Sequence, residues 1–267
     1  MANRKWPILT LLTDFGLKDP YVASMKGVIL GINPRCTLVD ITHQVSPHDI
    51  REGAFILAQT YSTFPMGTIH LAVVDPGVGS PRKPVLLVTK KYFFVGPDNG
   101  LFTLPLRRER VKQAVLLTNQ KFFLSQVGST FHGRDIFAPV AAYLSLGVKP
   151  EAFGPPIKSW RKISFPDPAV KQGKLIGEIV HVDAFGNLIS NIDRRNLLRF
   201  SKGQPFTTKI GKRMMTGLEK GYWEGKKDEP MALIGSAGFL EISIREGSAQ
   251  QALKMTRGDR VVVQRGE

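Results

Sequence analysis

The chain has 267 residues, 42% of them hydrophobic, one cysteine, and a formal net charge of +15. That length and apolar content suit one large or two small domains with a real core. A single thiol excludes an intramolecular disulfide, and no apolar run approaches the ~20 residues of a membrane-spanning helix.

The first folded stretch, WPILTLLTD, reads as a strand, and the start shows no apolar leader with a cleavage site. Tyr21 to Ile32 reads as a helix, with Asp19 as its N-cap, Pro20 in its first turn and Asn33-Pro34 ending it. CTLVDIT is a strand in which Cys36 packs as a small hydrophobe beside Leu38. A lone thiol of this kind suits a reducing cytoplasm. Ser46 or Pro47 opens a helix through IREGAFILAQTYSTF. TIHLAVVD, PVLLVTK, KYFFVG and AVLLTN follow as strands, and DIFAPVAAYLSLG as a helix. Strand and helix alternate, with some strands adjacent, so the fold class is α/β with a mixed sheet flanked by helices.

Residues 150–172 are rich in proline and read as a linker or surface crossover. After Lys171 the pattern changes to short strands: KLIGEIVHVD, NLISNI, PFTTKI, MALIG, FLEISI and RVVVQ, with one short helix over Asp193 to Phe200. This predicts a small all-β C-terminal domain, a compact barrel or sandwich. The expected division is residues 1–165 for the α/β part and 166–267 for the β part.

Lys and Arg are spread along the whole chain, and the densest cluster, Arg107, Arg108 and Arg110, has no interleaved aromatics. A nucleic-acid face needs clustered charge with stacking residues, so the charge reads as a solvated basic surface. TDFG at 13–16 and HGRD at 132–135 resemble kinase motifs but stand in the wrong order for a kinase. GVGSPR at 77–82 lacks the third glycine of a dinucleotide loop, and no metal-binding motif is present.

Polar residues cluster instead at element boundaries. Asp75 ends an apolar strand and is followed by a Pro-Gly turn that closes on Arg82; His132 stands fifty residues further on, before a helix. Asp14 ends the first strand, PDNG at 97–100 is a turn with Asp98 and Asn99 suited to left-handed geometry, and DAFGNLISN and SAGFLEI flank later strands. In α/β sheets ligands bind beyond the carboxyl ends of the strands. An acid, a guanidinium and an imidazole meeting there would suffice to orient one water. The plainer reading is an Asp–Arg ion pair bracing a loop, with His132 capping the helix.

TDFGxxD, VDPGVGxxR, GPDNG, FHGRD and DxFGNLxxN, in this order, resemble the S-adenosylmethionine (SAM) hydroxide adenosyltransferases, the adenosine-forming SAM hydrolases related to the SAM-dependent fluorinase and chlorinase. The likeness runs from about residue 8 to about residue 245. It implies that water attacks ribose C5′ of SAM and yields adenosine and L-methionine, with no cofactor or metal, in a homotrimer with sites at subunit interfaces. It implies a catalytic trio of Asp75, Arg82 and His132, with the base unassigned because the three titrate together. Asp14 would chelate the ribose hydroxyls. Asp19 and Asp183 would hold the methionine ammonium and Ser236 its carboxylate. Asn187 would read the adenine edge, with Phe185 and Tyr222 sandwiching the base; Glu241, which follows Leu240 in the last motif, is included among the binding residues. Against each stands a bland role, as turn acid, cap or core aromatic.

The halogenases are the nearest competitor. They hold small hydroxyl and aromatic groups where this chain has Asp75 and His132, and a tryptophan where it has His48. A carboxylate there repels a halide, which favours water. Two further readings are a non-catalytic SAM or adenosine sensor and a nucleic-acid-binding protein.

Overall fold

The computed structural model describes residues 6–266; the first five residues, on which the leader-free reading partly rests, lie outside them. The chain divides into two compact units, one ending at Ile163 and one beginning at Ser164.

The first unit is built on a six-stranded mixed sheet, as expected from the alternating pattern. Its strands are β1 (Ile8–Thr13), β2 (Thr37–Thr42), β3 (Ile69–Val73), β4 (Pro84–Thr89), β5 (Phe93–Pro97) and β6 (Val111–Leu116), in the order β2-β1-β3-β5-β4-β6. β1 lies parallel to β2 and β3, and β3 parallel to β5, while β4 runs antiparallel to β5 and β6. β1 and β3 are apolar almost throughout and buried on both faces, as parallel strands covered by helices must be.

Among the described residues three α-helices accompany the sheet: α1 (Tyr21–Ile32), α2 (Ile50–Thr60) and α3 (Ala138–Ser145). α1 buries Val22, Met25 and Ile29, one stripe at helical spacing. Its start differs from expectation. Pro20 holds the cap position without a side-chain cap bond, and the exposed Asp19 caps nothing. α2 begins later than Ser46-Pro47 because His48 takes a left-handed φ of 68° and interrupts the helix. Asp49 is its cap, accepting from Glu52 N at 3.0 Å, while Glu52 Oε2 accepts from Ser46 N at 2.8 Å. α3 is preceded by a π-helical turn over Gly133–Phe137.

Much of the proline-rich passage packs on the first unit. Leu116 N donates to Pro155 O at 2.9 Å and Ile157 N to Ala114 O at 2.8 Å, so the segment pairs along the free edge of β6. Proline suits such an edge, because its missing N–H is not needed by another strand. Phe153 is fully buried in the core and anchors the segment.

His70 on β3 is fully buried among Tyr61, Phe64, Tyr92 and Phe94, and its ring stacks on Phe94 at 5.2 Å. Thr10 Oγ1 meets Nδ1 at 2.8 Å, and Nε2 has no hydrogen-bond partner among the described residues. Burial in this apolar box lowers the imidazole to about 3 from its usual 6.5. The folded state therefore binds fewer protons than the unfolded state between those values. Stability from neutral His70 is complete above pH 6.5 and should fall by about 1.4 kcal/mol per unit as pH drops toward 3. Urea midpoints of the wild type and His70→Phe at pH 7 and pH 5 measure this; the acid loss should be smaller in the variant.

The second unit is the expected all-β body. Its strands are β7 (Ala169–Lys171), β8 (Lys174–Val182), β9 (Leu188–Asp193), β10 (Phe206–Ile210), β11 (Arg213–Thr216), β12 (Pro230–Ile234), β13 (Phe239–Ile244) and β14 (Arg260–Arg265). They form one antiparallel sheet, β11-β10-β14-β8-β9-β13-β12, with β7 on β8. Just past β11, Glu219 N donates to Ala232 O on β12 at 2.8 Å, so the two ends of the sheet approach closure. Leu175, Ile179, Leu188, Ile192, Ile242, Val261 and Val263 fill its interior. The helix expected from Asp193 is α4 (Arg194–Ser201), capped by Asp193 accepting from Asn196 N at 2.6 Å. β7, β11 and a one-turn helix, α5 (Ala249–Leu253), carry no readable pattern in the sequence. β7 is exposed at every position, so it shows no alternation.

Candidate active site

Thr13 on β1 stands opposite Val73 on β3. Asp14 and Asp75 therefore leave the same edge of the sheet, beyond the carboxyl ends of two adjacent parallel strands. Asn99 Nδ2 donates to Val74 O at 2.7 Å and steadies the residue before Asp75. In the PDNG turn the left-handed residue is Gly100, with φ 101°, not Asp98 or Asn99. Asp98 instead accepts from Arg161 N at 2.6 Å.

The turn after Asp75 is tight. Val78 N donates to Asp75 O at 3.2 Å and Ser80 N to Gly77 O at 3.1 Å. Gly79 has φ 76°, and a Cβ there would collide with the Ser129 carbonyl oxygen. This close approach of two loops brings Arg82 to His132.

The trio is joined by hydrogen bonds. Arg82 Nε donates to both oxygens of Asp75 at 2.9 Å, and Arg82 Nη2 donates to Asp75 Oδ2. Arg82 Nη2 also meets His132 Nδ1 at 2.7 Å. A guanidinium can only donate, so Nδ1 is the acceptor and the neutral ring carries its proton on Nε2. Burial and the Arg82 charge hold His132 below its usual range, against the opposing pull of Asp75 and Asp135. The Arg82 side chain is 9% exposed and that of Asp75 4%. Phe137 lies under the guanidinium at 5.3 Å, and Arg82 Nη1 is buried without a hydrogen-bond partner among the described residues. His132 makes no side-chain cap bond to the turn it precedes.

Asp135, two residues past the FHG step, was visible in the sequence without a role. It is fully buried and accepts from Gly128 N at 2.8 Å and Arg134 Nε at 2.6 Å, which folds the 128–132 loop back on the π-helical turn. Phe131 packs edge-on against Phe15 and Tyr21, tying that loop to the TDFG turn. Asp14 Oδ2 accepts from His48 N at 2.8 Å.

In the second unit, Asp183, Phe185, Asn187, Tyr222 and Ser236 line one cavity of about 620 Å³. Arg245 and Gly247 line it too; the sequence reading missed both, since neither sits in a motif. Asp183 Oδ1 accepts from Phe185 N and Asn187 N at 2.9 Å, and Oδ2 from Asn187 Nδ2 at 2.8 Å. Phe185 is 79% exposed at the cavity wall. Glu241 lies outside the lining. It is buried and accepts from Tyr222 Oη at 2.7 Å and Ser243 Oγ at 2.8 Å, so it orients the Tyr222 ring. Burial, the Glu241 hydrogen bond and the charges of Glu241 and Asp183 push the Tyr222 phenol up.

Residues 9–154 match the SAM hydroxide adenosyltransferase N-terminal domain, and residues 177–262 match the SAM hydroxide adenosyltransferase C-terminal domain. The chain belongs to the SAM hydroxide adenosyltransferase family. An (R)-S-adenosyl-L-methionine hydrolase of Thermus thermophilus is 38% identical, over 92% of this chain and 95% of that protein. A crystal structure of an uncharacterized conserved protein from Thermotoga maritima superposes with a TM-score of 0.91 at 37% identity, covering 96% of this chain and 100% of that one. A fluorinase of an Actinoplanes species is 29% identical, over 72% of this chain and 73% of its own length. The SAM hydroxide adenosyltransferase domains together include every residue named from the sequence motifs, from Asp14 to Glu241.

Proposed function

We propose that this chain hydrolyses SAM to adenosine and L-methionine, without a cofactor or metal. The observation that carries the reading is the hydrogen-bonded unit of Asp75, Arg82 and His132 at a sheet edge. Full-length similarity to a named (R)-SAM hydrolase supports it.

The chemistry asks little of such a site. The water oxygen bonds to C5′ as the C5′–S bond breaks, and the electron pair passes to sulfur, which leaves as a neutral thioether. A sulfonium needs no proton to depart. The protein must hold one water in line and take its proton; positioning of this kind is worth up to ~7–11 kcal/mol. With Nδ1 engaged by Arg82 and the proton on Nε2, neutral His132 has no free lone pair. Asp75 Oδ1 accepts one bond and keeps a spare lone pair, so Asp75 receives the proton there. Arg82 aligns the carboxylate and the imidazole together.

Asp14 takes the ribose hydroxyls. The methionine ammonium goes to Asp19 and Asp183 and the carboxylate to Ser236. Asn187, Phe185 and Tyr222 take adenine, with Glu241 holding Tyr222. Asp19 is free for this because Pro20, not Asp19, occupies the cap position of α1. A homotrimer with sites at subunit interfaces and a cytoplasmic location belong to the same proposal. Among the described residues no helix is long and apolar enough to cross a membrane.

The fluorinase relative keeps halide transfer as a second reading. Asp75 opposes it, because a buried carboxylate repels an anion at the attacking position. Incubation with SAM in oxygen-18 water decides. Label on the adenosine 5′-oxygen is the expected result, and unlabelled adenosine or intact SAM contradicts the proposal. Addition of chloride or fluoride should give no halogenated nucleoside.

A further inference from the structure

We propose that His43 is a positioning residue for Asp14, acting through the Thr13 hydroxyl. The inference rests on the reading of Asp14 as the acceptor of the ribose hydroxyls.

His43 stands just past β2 and is 3% exposed. Its Nε2 lies 3.0 Å from Asp40 Oδ1, at an angle poor for a linear hydrogen bond, so the contact acts chiefly through charge. A carboxylate cannot donate, and its charge keeps the ring proton on Nε2. In the neutral ring with that proton on Nε2, Nδ1 is a lone pair, and the Thr13 hydroxyl, 2.9 Å away and fully buried, donates to it. That commitment turns the Thr13 oxygen toward Phe15 N–H, which donates to it at 3.2 Å. The two hydrogen bonds run in one direction, from Phe15 through Thr13 to His43, and bonds aligned in series reinforce one another, while Asp40 fixes the far end through its charge. Lys26 Nζ holds the far side of Asp40 at 2.6 Å.

The backbone closes the same strand tip. Gly16 N donates to His43 O at 2.7 Å, and Val45 N donates to Thr13 O at 3.4 Å. Asp14 Oδ2 is itself tethered to His48 N. The residues on both sides of Asp14 are thus pinned by one imidazole whose rotation and tautomer are both determined. Without it, Thr13 keeps its place in β1, but its hydroxyl is no longer held by His43 in the orientation that faces Phe15 N–H. A carboxylate that must meet two vicinal hydroxyls is sensitive to such a change, because both contacts depend on one orientation.

The measurement is the preference for SAM over its 2′-deoxy and 3′-deoxy analogues, as a ratio of kcat/KM, in the wild type, His43→Leu, His43→Asn and Thr13→Val. The wild type should prefer SAM by about 10- to 100-fold, the loss expected when a hydrogen bond to a charged acceptor is removed. His43→Leu and Thr13→Val should cut that preference to about threefold or less, through a loss on SAM with little change on the analogues. His43→Asn, which offers an amide oxygen near the Nδ1 position, should retain most of it. A packing role alone would slow all substrates together and leave the preference unchanged; that outcome in both His43→Leu and Thr13→Val overturns the inference. Thr13→Val keeps the side-chain volume and decides the matter should His43→Leu not fold. Wild-type protein that turns over no SAM sinks the functional reading and this inference with it, whereas normal turnover with an unchanged preference sinks this inference alone.

Discussion

Asp75→Asn should lower kcat by about 10²- to 10⁴-fold, the range supplied by a positioned proton acceptor. The amide keeps the volume of the carboxylate and one acceptor for Arg82, but it cannot take a proton from water. Its –NH₂ also faces Arg82 where two donors now meet Asp75, so about 1–3 kcal/mol of stability should go as well. Calorimetric titration separates the two effects, since SAM should still bind the variant. A kcat within tenfold of the wild type would remove Asp75 from the role of base. His132 would then have to act in its other tautomer, which the Arg82 contact forbids.

Arg82→Met should have the opposite balance, with stability hit hardest. Arg82 and Asp75 are 9% and 4% exposed at their side chains. Removing the cation leaves a buried carboxylate without its partner, which costs about 3–5 kcal/mol. For a folding unit of this size each kcal/mol moves Tm by about 2–4 °C, so the shift should be large and easily read by calorimetry. The double variant Arg82→Met, Asp75→Leu supplies the control. An apolar pair of similar volume in a buried position is often as stable as the ion pair it replaces, so Tm should recover while turnover stays absent. Recovery of Tm with activity retained would show the trio to be a loop brace and nothing more. No recovery would show that the 76–82 turn depends on the ion pair for its shape.

The trio is also where sequence and structure are most instructive to compare. Asp75 was legible because an apolar strand followed by Pro-Gly-Val-Gly marks a strand tip with a sharp turn. The strand ends at Val73, one residue before the apolar run does, and this changes nothing about which edge Asp75 occupies. The contact of Arg82 with His132 was not legible from spacing. It depends on Gly79 passing against Ser129, a backbone approach between loops fifty residues apart.

Caps and turns were read less well, for a physical reason. Asp19 has the right residue type for a cap, but the chain enters α1 with Pro20 in the cap position, and side-chain type alone does not reveal that φ/ψ path. Ser46-Pro47 likewise looks like a helix start, yet the left-handed His48 delays α2 until Asp49. Asp183 and Asn187 appeared as separate polar residues, and the structure shows them hydrogen-bonded to each other across one turn. In this pair the turn role and the proposed ligand role are carried by the same atoms.

The amino-acid sequence by itself determined the two-part architecture, the mixed sheet of the first part, the all-β character of the second and the residue types available at each strand end. Hydrophobic period and turn chemistry are local properties, written within a few residues of where they act. Only the tertiary structure decided that Arg82 locks the tautomer of His132, that Glu241 serves Tyr222 from outside the cavity, and that His43 reaches Thr13. Each of these is a contact between side chains distant along the chain, and its geometry is set by how strands align and loops collide, which no window of sequence contains.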